Sequence, residues 1–168
     1  LKSGGGIFLM GENSSFMSRN DTIFSLISLA GGGTIGFGSG SSYQTVDAPF
    51  TGPNAVAHVN YAAPGYFNNH GTGQWITDDG TYGSGIAFAK GTLANAANGA
   101  LTTILDVNFM QNEYDLPNSQ NLTKNLIGFV GAQVNPPIEG SAVPEPATYG
   151  LMGACALVAL VVIRRRKA

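Results

Sequence analysis

The chain has 168 residues, a formal net charge of −2, and a composition that is 43% hydrophobic and only 11% charged. This length suits about one domain, and the apolar content excludes an intrinsically disordered chain. The charge is uneven, because residues 1–146 carry −6 and residues 147–168 carry +4. Phosphate-backbone binding needs clustered Lys and Arg, so the net negative charge of residues 1–146 argues against a nucleic-acid partner.

The N-terminal region has the pattern of one β-strand followed by one α-helix. Gly4–Gly6 predicts a turn, and the apolar run Ile7–Met10 is typical of a strand buried on both faces of a parallel sheet. Ser18 or Asn20 can cap the following helix, and Gly31 can end it. The helix is indicated by apolar residues at helical spacing: Ile23, Leu26, Ile27 and Ala30. Together these features predict a βα unit of an α/β sheet.

The middle of the chain predicts further strands and a second helix. Residues 34–71 are rich in Gly, Ser and Pro and indicate a short strand plus loop. Strand-like runs follow at 73–77, 85–90 and 100–109, the last apolar enough for a central strand. Residues 119–132 predict an amphipathic helix with Asn118 or Ser119 as its cap. Its apolar face comprises Leu122, Leu126, Phe129 and Val130.

The C-terminal segment differs in composition from residues 1–133, which we call the body. Residues 134–142 are rich in Pro and Gly and predict an extended linker. Ala147–Ile163 has no charged residue, and as a helix it would reach about 26 Å, close to the ~30 Å hydrocarbon core of a bilayer. Arg164–Lys167 then predicts a cytoplasmic basic stop, with the body on the other side of the inner membrane. Cys155, the sole cysteine, is expected to be an apolar filler.

The order of motifs in this tail resembles the PEP-CTERM protein-sorting domain. An acid between two prolines comes first, then the short apolar helix, and then the basic cluster; the residues are Val143, Pro144, Glu145 and Pro146, and Arg164, Arg165, Arg166 and Lys167. The resemblance implies a substrate of an exosortase, a membrane transpeptidase of Gram-negative bacteria. It further implies removal of the tail and delivery to the cell surface or an exopolysaccharide matrix. Since the chain begins at Leu1 without Met, we expect an export signal to precede it.

The body, residues 1–133, resembles the C-terminal half of a class I glutamine-amidotransferase-like domain. The resemblance is carried by GGGIFLMGENSSF near the start and by GALTTILDVNF followed by NLTKNLIGFV. It implies a partial, three-layer, flavodoxin-like α/β sheet. An active amidotransferase has a Cys nucleophile after this first strand, where the chain has Gly11-Glu12-Asn13. The chemistry of that family is therefore not expected here.

Two carboxylates are the candidate catalytic groups. Glu12 and Asp106 each follow a predicted strand, where α/β proteins bind their ligands. The alternatives are that Glu12 fixes loop amides and that Asp106 caps a turn. His58 and His70 lack any metal-ligand spacing, and we expect neither a metal nor another cofactor.

The middle region is rich in aromatic residues, which suit sugar stacking if exposed and a core if buried; the core is the preferred interpretation. They are Tyr61, Tyr66, Phe67, Trp75 and Tyr82. The sequence thus predicts an exported surface or matrix protein without catalytic activity, with a carbohydrate or a protein as its ligand. Two alternatives stay open, namely a secreted hydrolase that uses the two carboxylates and a permanently anchored membrane protein.

Overall fold

A computed structural model describes residues 1–134, which belong to the first of two units, 1–136 and 137–168. The predicted linker beyond Val134, the sorting motif and the predicted membrane helix 147–163 lie outside the described residues. Among residues 1–134, the helices are too short or too polar to cross a bilayer. The strands are β1 (Gly6–Met10), β2 (Tyr43–Val46), β3 (His58–Asn60), β4 (Gln74–Asp78), β5 (Gly83–Phe88) and β6 (Ala100–Ile104); the helices are α1 (Asp21–Ala30) and α2 (Leu116–Val134), with 3₁₀ segments at Ser14–Asn20 and Phe109–Gln111.

The six strands form one mixed sheet in the order β1-β6-β5-β4-β2-β3. Within it, β1 and β6 are parallel, and the other four pairings are antiparallel. The α/β class is therefore confirmed, but the expected flavodoxin-like parallel arrangement is wrong for this part of the chain. The physical reason lies in the connections, because the short turn between Asp78 and Gly83 can join only antiparallel neighbours.

Helices cover both faces of the sheet. Leu101 and Leu105 point towards the side that holds Ile27 of α1, whereas Ile104 points towards Leu122 and Leu126 of α2. This alternation follows from the two-residue period of a strand. All these side chains are fully buried, and each such burial contributes about 1.5–3 kcal/mol relative to exposure.

β1 is apolar on both faces, as predicted, but it forms an edge of the described sheet. Phe8 and Met10 pack against the core under α2, and Leu9 packs against the core under α1. β6 is an interior strand, as predicted, with all five residues buried. It ends at Ile104 rather than at residue 109, because the chain turns at Asp106, whose Oδ1 accepts the N–H of Asn108.

The end of α1 agrees with the prediction, whereas the start of α2 does not. α1 ends at Gly31, which adopts the predicted left-handed conformation with φ of 87°. α2 begins at Leu116, so the predicted caps Asn118 and Ser119 are wrong. Asp115 precedes the first turn, and its Oδ1 accepts a hydrogen bond from the Asn118 side chain. Pro117 is compatible with this earlier start, because a helix does not use its first N–H groups.

Residues 34–71 contain two strands instead of the single short one that was predicted. β2 has four residues and β3 has three, so neither gives a long alternating pattern. Gln44 is polar and yet fully buried within β2. A polar residue on the buried face hides the strand from a reading based on hydrophobicity.

Candidate functional site

Glu12 and Asp106 follow the two parallel strands at the same edge of the sheet. Met10 lies opposite Ile104 in the β1–β6 register, and the Gly11 N–H donates to the Ile104 carbonyl at 2.7 Å. Gly65 crosses this edge and donates its N–H to the Leu105 carbonyl at 2.6 Å. A Cβ at Gly65 would lie only 2.8 Å from the Glu12 carbonyl oxygen, so the segment passes close to both strand ends.

Glu12 has clear structural contacts. Its carboxylate pairs with Arg19 at 2.9 Å, and the Arg19 guanidinium lies 4.5 Å from the centre of the Phe16 ring. Its backbone is held by the buried side chain of Asn20, which accepts from the Glu12 N–H at 2.7 Å and donates to the Glu12 carbonyl at 2.9 Å. These contacts suit the fixing of a loop. A catalytic role for Glu12 stays a prediction.

Asp106 is a buried carboxyl group, with only 3% of the residue exposed. Its Oδ1 accepts the Asn108 N–H at 3.0 Å, and its buried Oδ2 has no hydrogen-bond partner among residues 1–134. Burial raises the pKa of Asp106, an effect that the backbone N–H groups of Asn108 and Ala63 partly oppose. The predicted turn-capping contact is therefore present.

A cavity of about 320 Å³ lies beside the loop that follows Asp106. We call it the Tyr114 cavity, and it is lined by Ala62, Asn108, Gln111, Asn112, Glu113 and Tyr114. The 3₁₀ turn Phe109–Gln111 positions much of this lining. Phe109 is fully buried, and the centre of its ring lies 5.6 Å from that of Tyr61. This packing anchors the turn in the core.

The predicted aromatic cluster is divided between core and partly buried positions. Tyr61 and Phe67 are core residues, as preferred from the sequence, and the Tyr61 hydroxyl is 2.8 Å from Thr77 Oγ1. Burial raises the pKa of Tyr61 above its usual range. Tyr114, which the sequence reasoning missed, is 76% exposed. Its only sequence signal was an aromatic residue within a polar stretch between a strand and a helix.

The two histidines lie in different environments. His58 packs against Tyr43 with ring centres 4.9 Å apart, and His70 packs edge-on against Trp75 at 5.3 Å. Within the described part of the chain, His, Cys, Asp and Glu do not form a group of three or more that could hold a metal ion. Asp79 instead organises the β4–β5 turn, since its carboxylate accepts N–H groups of Ser41, Thr81 and Tyr82.

Comparison with protein families gives a match in the tail. Residues 142–167 match the PEP-CTERM protein-sorting motif. The match points to an exported protein that is sorted and processed by an exosortase. Comparison with curated proteins and with solved structures gave no match. The resemblance of the body to an amidotransferase is therefore not supported by these comparisons.

Proposed function

We propose that this chain is an exosortase substrate whose body, residues 1–133, acts at the cell surface or in the extracellular matrix without catalysing a reaction. The observation that carries the proposal is the PEP-CTERM match at residues 142–167. In this scheme, segment 147–163 spans the inner membrane, and Arg164–Lys167 stays in the cytoplasm. The exosortase then recognises Pro144-Glu145-Pro146 and removes the tail.

The charge distribution supports a transient membrane handle. The last 22 residues carry four cations and no acid, which opposes translocation of this end across the membrane. A 17-residue apolar segment is short for a permanent anchor, because spans of ~20 residues match the bilayer better. The working protein would then be the acidic body, with exopolysaccharide or a surface protein as its partner.

Mutation of the sorting motif tests the proposal in cells that contain an exosortase. Pro144, Glu145 and Pro146 are replaced together by Ala, and the control replaces Pro136 and Pro137, which lie in the same proline-rich segment outside the motif. We expect the parent and the control to lose the tail, as seen by intact mass, and the motif variant to keep it. Equal processing of all three proteins would contradict the proposal. An intact tail on the parent would favour a permanent anchor.

A secreted hydrolase is the second candidate function. It is favoured by the position of Glu12 and Asp106 beyond neighbouring parallel strands, and the Glu12–Arg19 ion pair argues for a structural role instead. Glu12→Gln and Asp106→Asn distinguish these alternatives when hydrolysis of polysaccharide and peptide substrates is assayed. A hydrolase would lose activity in both variants, whereas a binding domain has none to lose.

A further inference from the structure

We infer that the Tyr114 cavity is a binding site for a neutral, hydroxyl-rich ring, such as one saccharide unit of a polysaccharide. The inference deepens the proposed function, on which it rests for the place where the protein meets its ligand. Its chemistry comes from the cavity itself. The volume of about 320 Å³ lies at the small end of the range for ligand sites, which suits a single ring-sized group.

The lining matches the hydrogen-bonding pattern of sugar hydroxyls. A hydroxyl both donates and accepts, and so do the side-chain amides of Asn108 and Gln111. Both residues are exposed, as is Glu113, whose carboxylate adds two acceptors. The cavity lining includes neither Lys nor Arg. An anionic ligand would therefore meet a carboxylate without a compensating cation, which disfavours it. The neutral amides of Asn108 and Gln111 suit a neutral ligand.

Tyr114 supplies an apolar face next to these polar groups. Its backbone N–H donates to Asn112 Oδ1 at 3.1 Å. Asn112 is itself almost fully buried, and its Nδ2 donates to the Asn60 carbonyl at 2.7 Å and to Ser119 Oγ at 3.2 Å. The backbone at Tyr114 is thus anchored to β3 and α2, while the ring is free to contact a ligand. Such pre-organisation reduces the entropy that binding must offset.

Asp106 contacts the site through the backbone of one lining residue. Its Oδ1 holds the Asn108 N–H, and Asn108 lines the cavity. Loss of the Asp106 carboxylate would therefore release the backbone of a lining residue. The carboxyl ends of parallel strands are where α/β sheets bind ligands. Asp106 follows the carboxyl end of β6, which is parallel to β1.

The test is a binding titration with the purified full chain. The detergent is lauryldimethylamine oxide, because glycosidic detergents would compete with the ligand. The probes are glucose, galactose, N-acetylglucosamine and their linear oligosaccharides, with sorbitol as a polyol that has no ring. We expect saturable binding of at least one saccharide by calorimetry, with sorbitol binding more weakly.

Matched variants assign the binding to the cavity. Tyr114→Ala should weaken binding about tenfold, which corresponds to ~1.4 kcal/mol, and Tyr114→Phe should retain it because the ring remains. Gln111→Ala should weaken it independently. Tyr43→Ala is the control, since Tyr43 is an exposed tyrosine (55%) outside the cavity. Because Tyr114 and Gln111 are exposed, melting temperatures should not change.

Three results would overturn the inference. They are the absence of saturable binding by every saccharide, equal binding of sorbitol, and undiminished binding by Tyr114→Ala or Gln111→Ala. Sorting is measured separately, by mass and location in cells. A chain that binds sugar but keeps its tail therefore contradicts only the proposed sorting, and a processed chain that binds no sugar contradicts only this inference.

Discussion

Gln44 and Ser84 form a reciprocal pair of buried hydrogen bonds that joins β2 to β5, although β4 lies between these strands in the sheet. Gln44 Nε2 donates to Ser84 Oγ at 2.8 Å, and the Ser84 N–H donates to Gln44 Oε1 at 2.9 Å. Both residues are fully buried. Gln44, whose polarity made β2 difficult to recognise in the sequence, is therefore the residue that joins β2 to β5.

Loss of this pair should destabilise the domain. Gln44→Ala leaves the Ser84 N–H buried without its acceptor, and we expect the free energy of unfolding to fall by about 2–4 kcal/mol. Chemical denaturation of the purified chain measures the change. Gln120→Ala removes an exposed amide on α2 and serves as the control. Equal stabilities of the two variants would contradict a structural role for the pair.

Asn125 should be equally important for the loop after β2. Its Nδ2 donates to the Phe50 and Asn54 carbonyls at 2.7 and 2.8 Å, and its Oδ1 accepts the Asn54 N–H at 2.9 Å. Asn125→Leu keeps the number and branching of the side-chain heavy atoms but leaves these buried groups unpaired, so we expect a loss of about 2–4 kcal/mol in unfolding free energy. Faster amide exchange in residues 50–56 should accompany it. Lys124→Ala, at the neighbouring exposed position, should change neither.

Stability should fall as pH rises through the titration of Asp47. Burial and, after it, the hydrogen bond and charge of the Asp78 carboxyl raise the pKa of Asp47 from 3.8 to about 6. Between these two values the folded protein holds a proton that the unfolded chain releases, so the free energy of unfolding decreases with pH. Asp47→Asn should flatten this dependence and increase stability at pH 7 relative to the parent. Melting temperatures from pH 4 to 7, with the exposed Glu113→Gln as control, provide the measurement; an unchanged slope in Asp47→Asn would disprove the assignment.

Substitution of two glycines that have positive φ should distinguish the cost of backbone strain from the cost of a steric clash. Gly71 has φ of 56°, and Gly80 has φ of 95°. A Cβ at Gly71 would collide with the Gly32 carbonyl oxygen, whereas a Cβ at Gly80 would meet no atom within 4 Å. Gly80→Ala should therefore cost about 1–2 kcal/mol from conformational strain. Gly71→Ala should cost about 3 kcal/mol or more, because the close contact between the loops that carry Gly71 and Gly32 must also move. Similar losses in thermal unfolding would refute the close approach at Gly71.

Much of the secondary structure could be predicted from the sequence, because it depends on side chains that lie near one another along the chain. The apolar run before Gly11 gave β1, and the helical spacing before Gly31 gave α1. The runs that became β4, β5, β6 and α2 were found in the same way, with errors of up to five residues at their ends. β2 and β3 were not predicted, because they are short and because the polar Gln44 is buried with its hydrogen bonds satisfied.

The sequence by itself determined the sorting tail, since its motif, its apolar length and its charges are read in linear order. It also indicated Asp106 as a residue at the end of a strand. Only the tertiary structure decided the order of the strands in the sheet and the grouping of Asn108 and Tyr114 with Ala62, which is remote along the chain. The reason is that these relationships depend on long-range backbone bonds, such as the one from Gly65 to Leu105. Such bonds can form between any two segments, and so the pattern of side chains along the chain does not encode them.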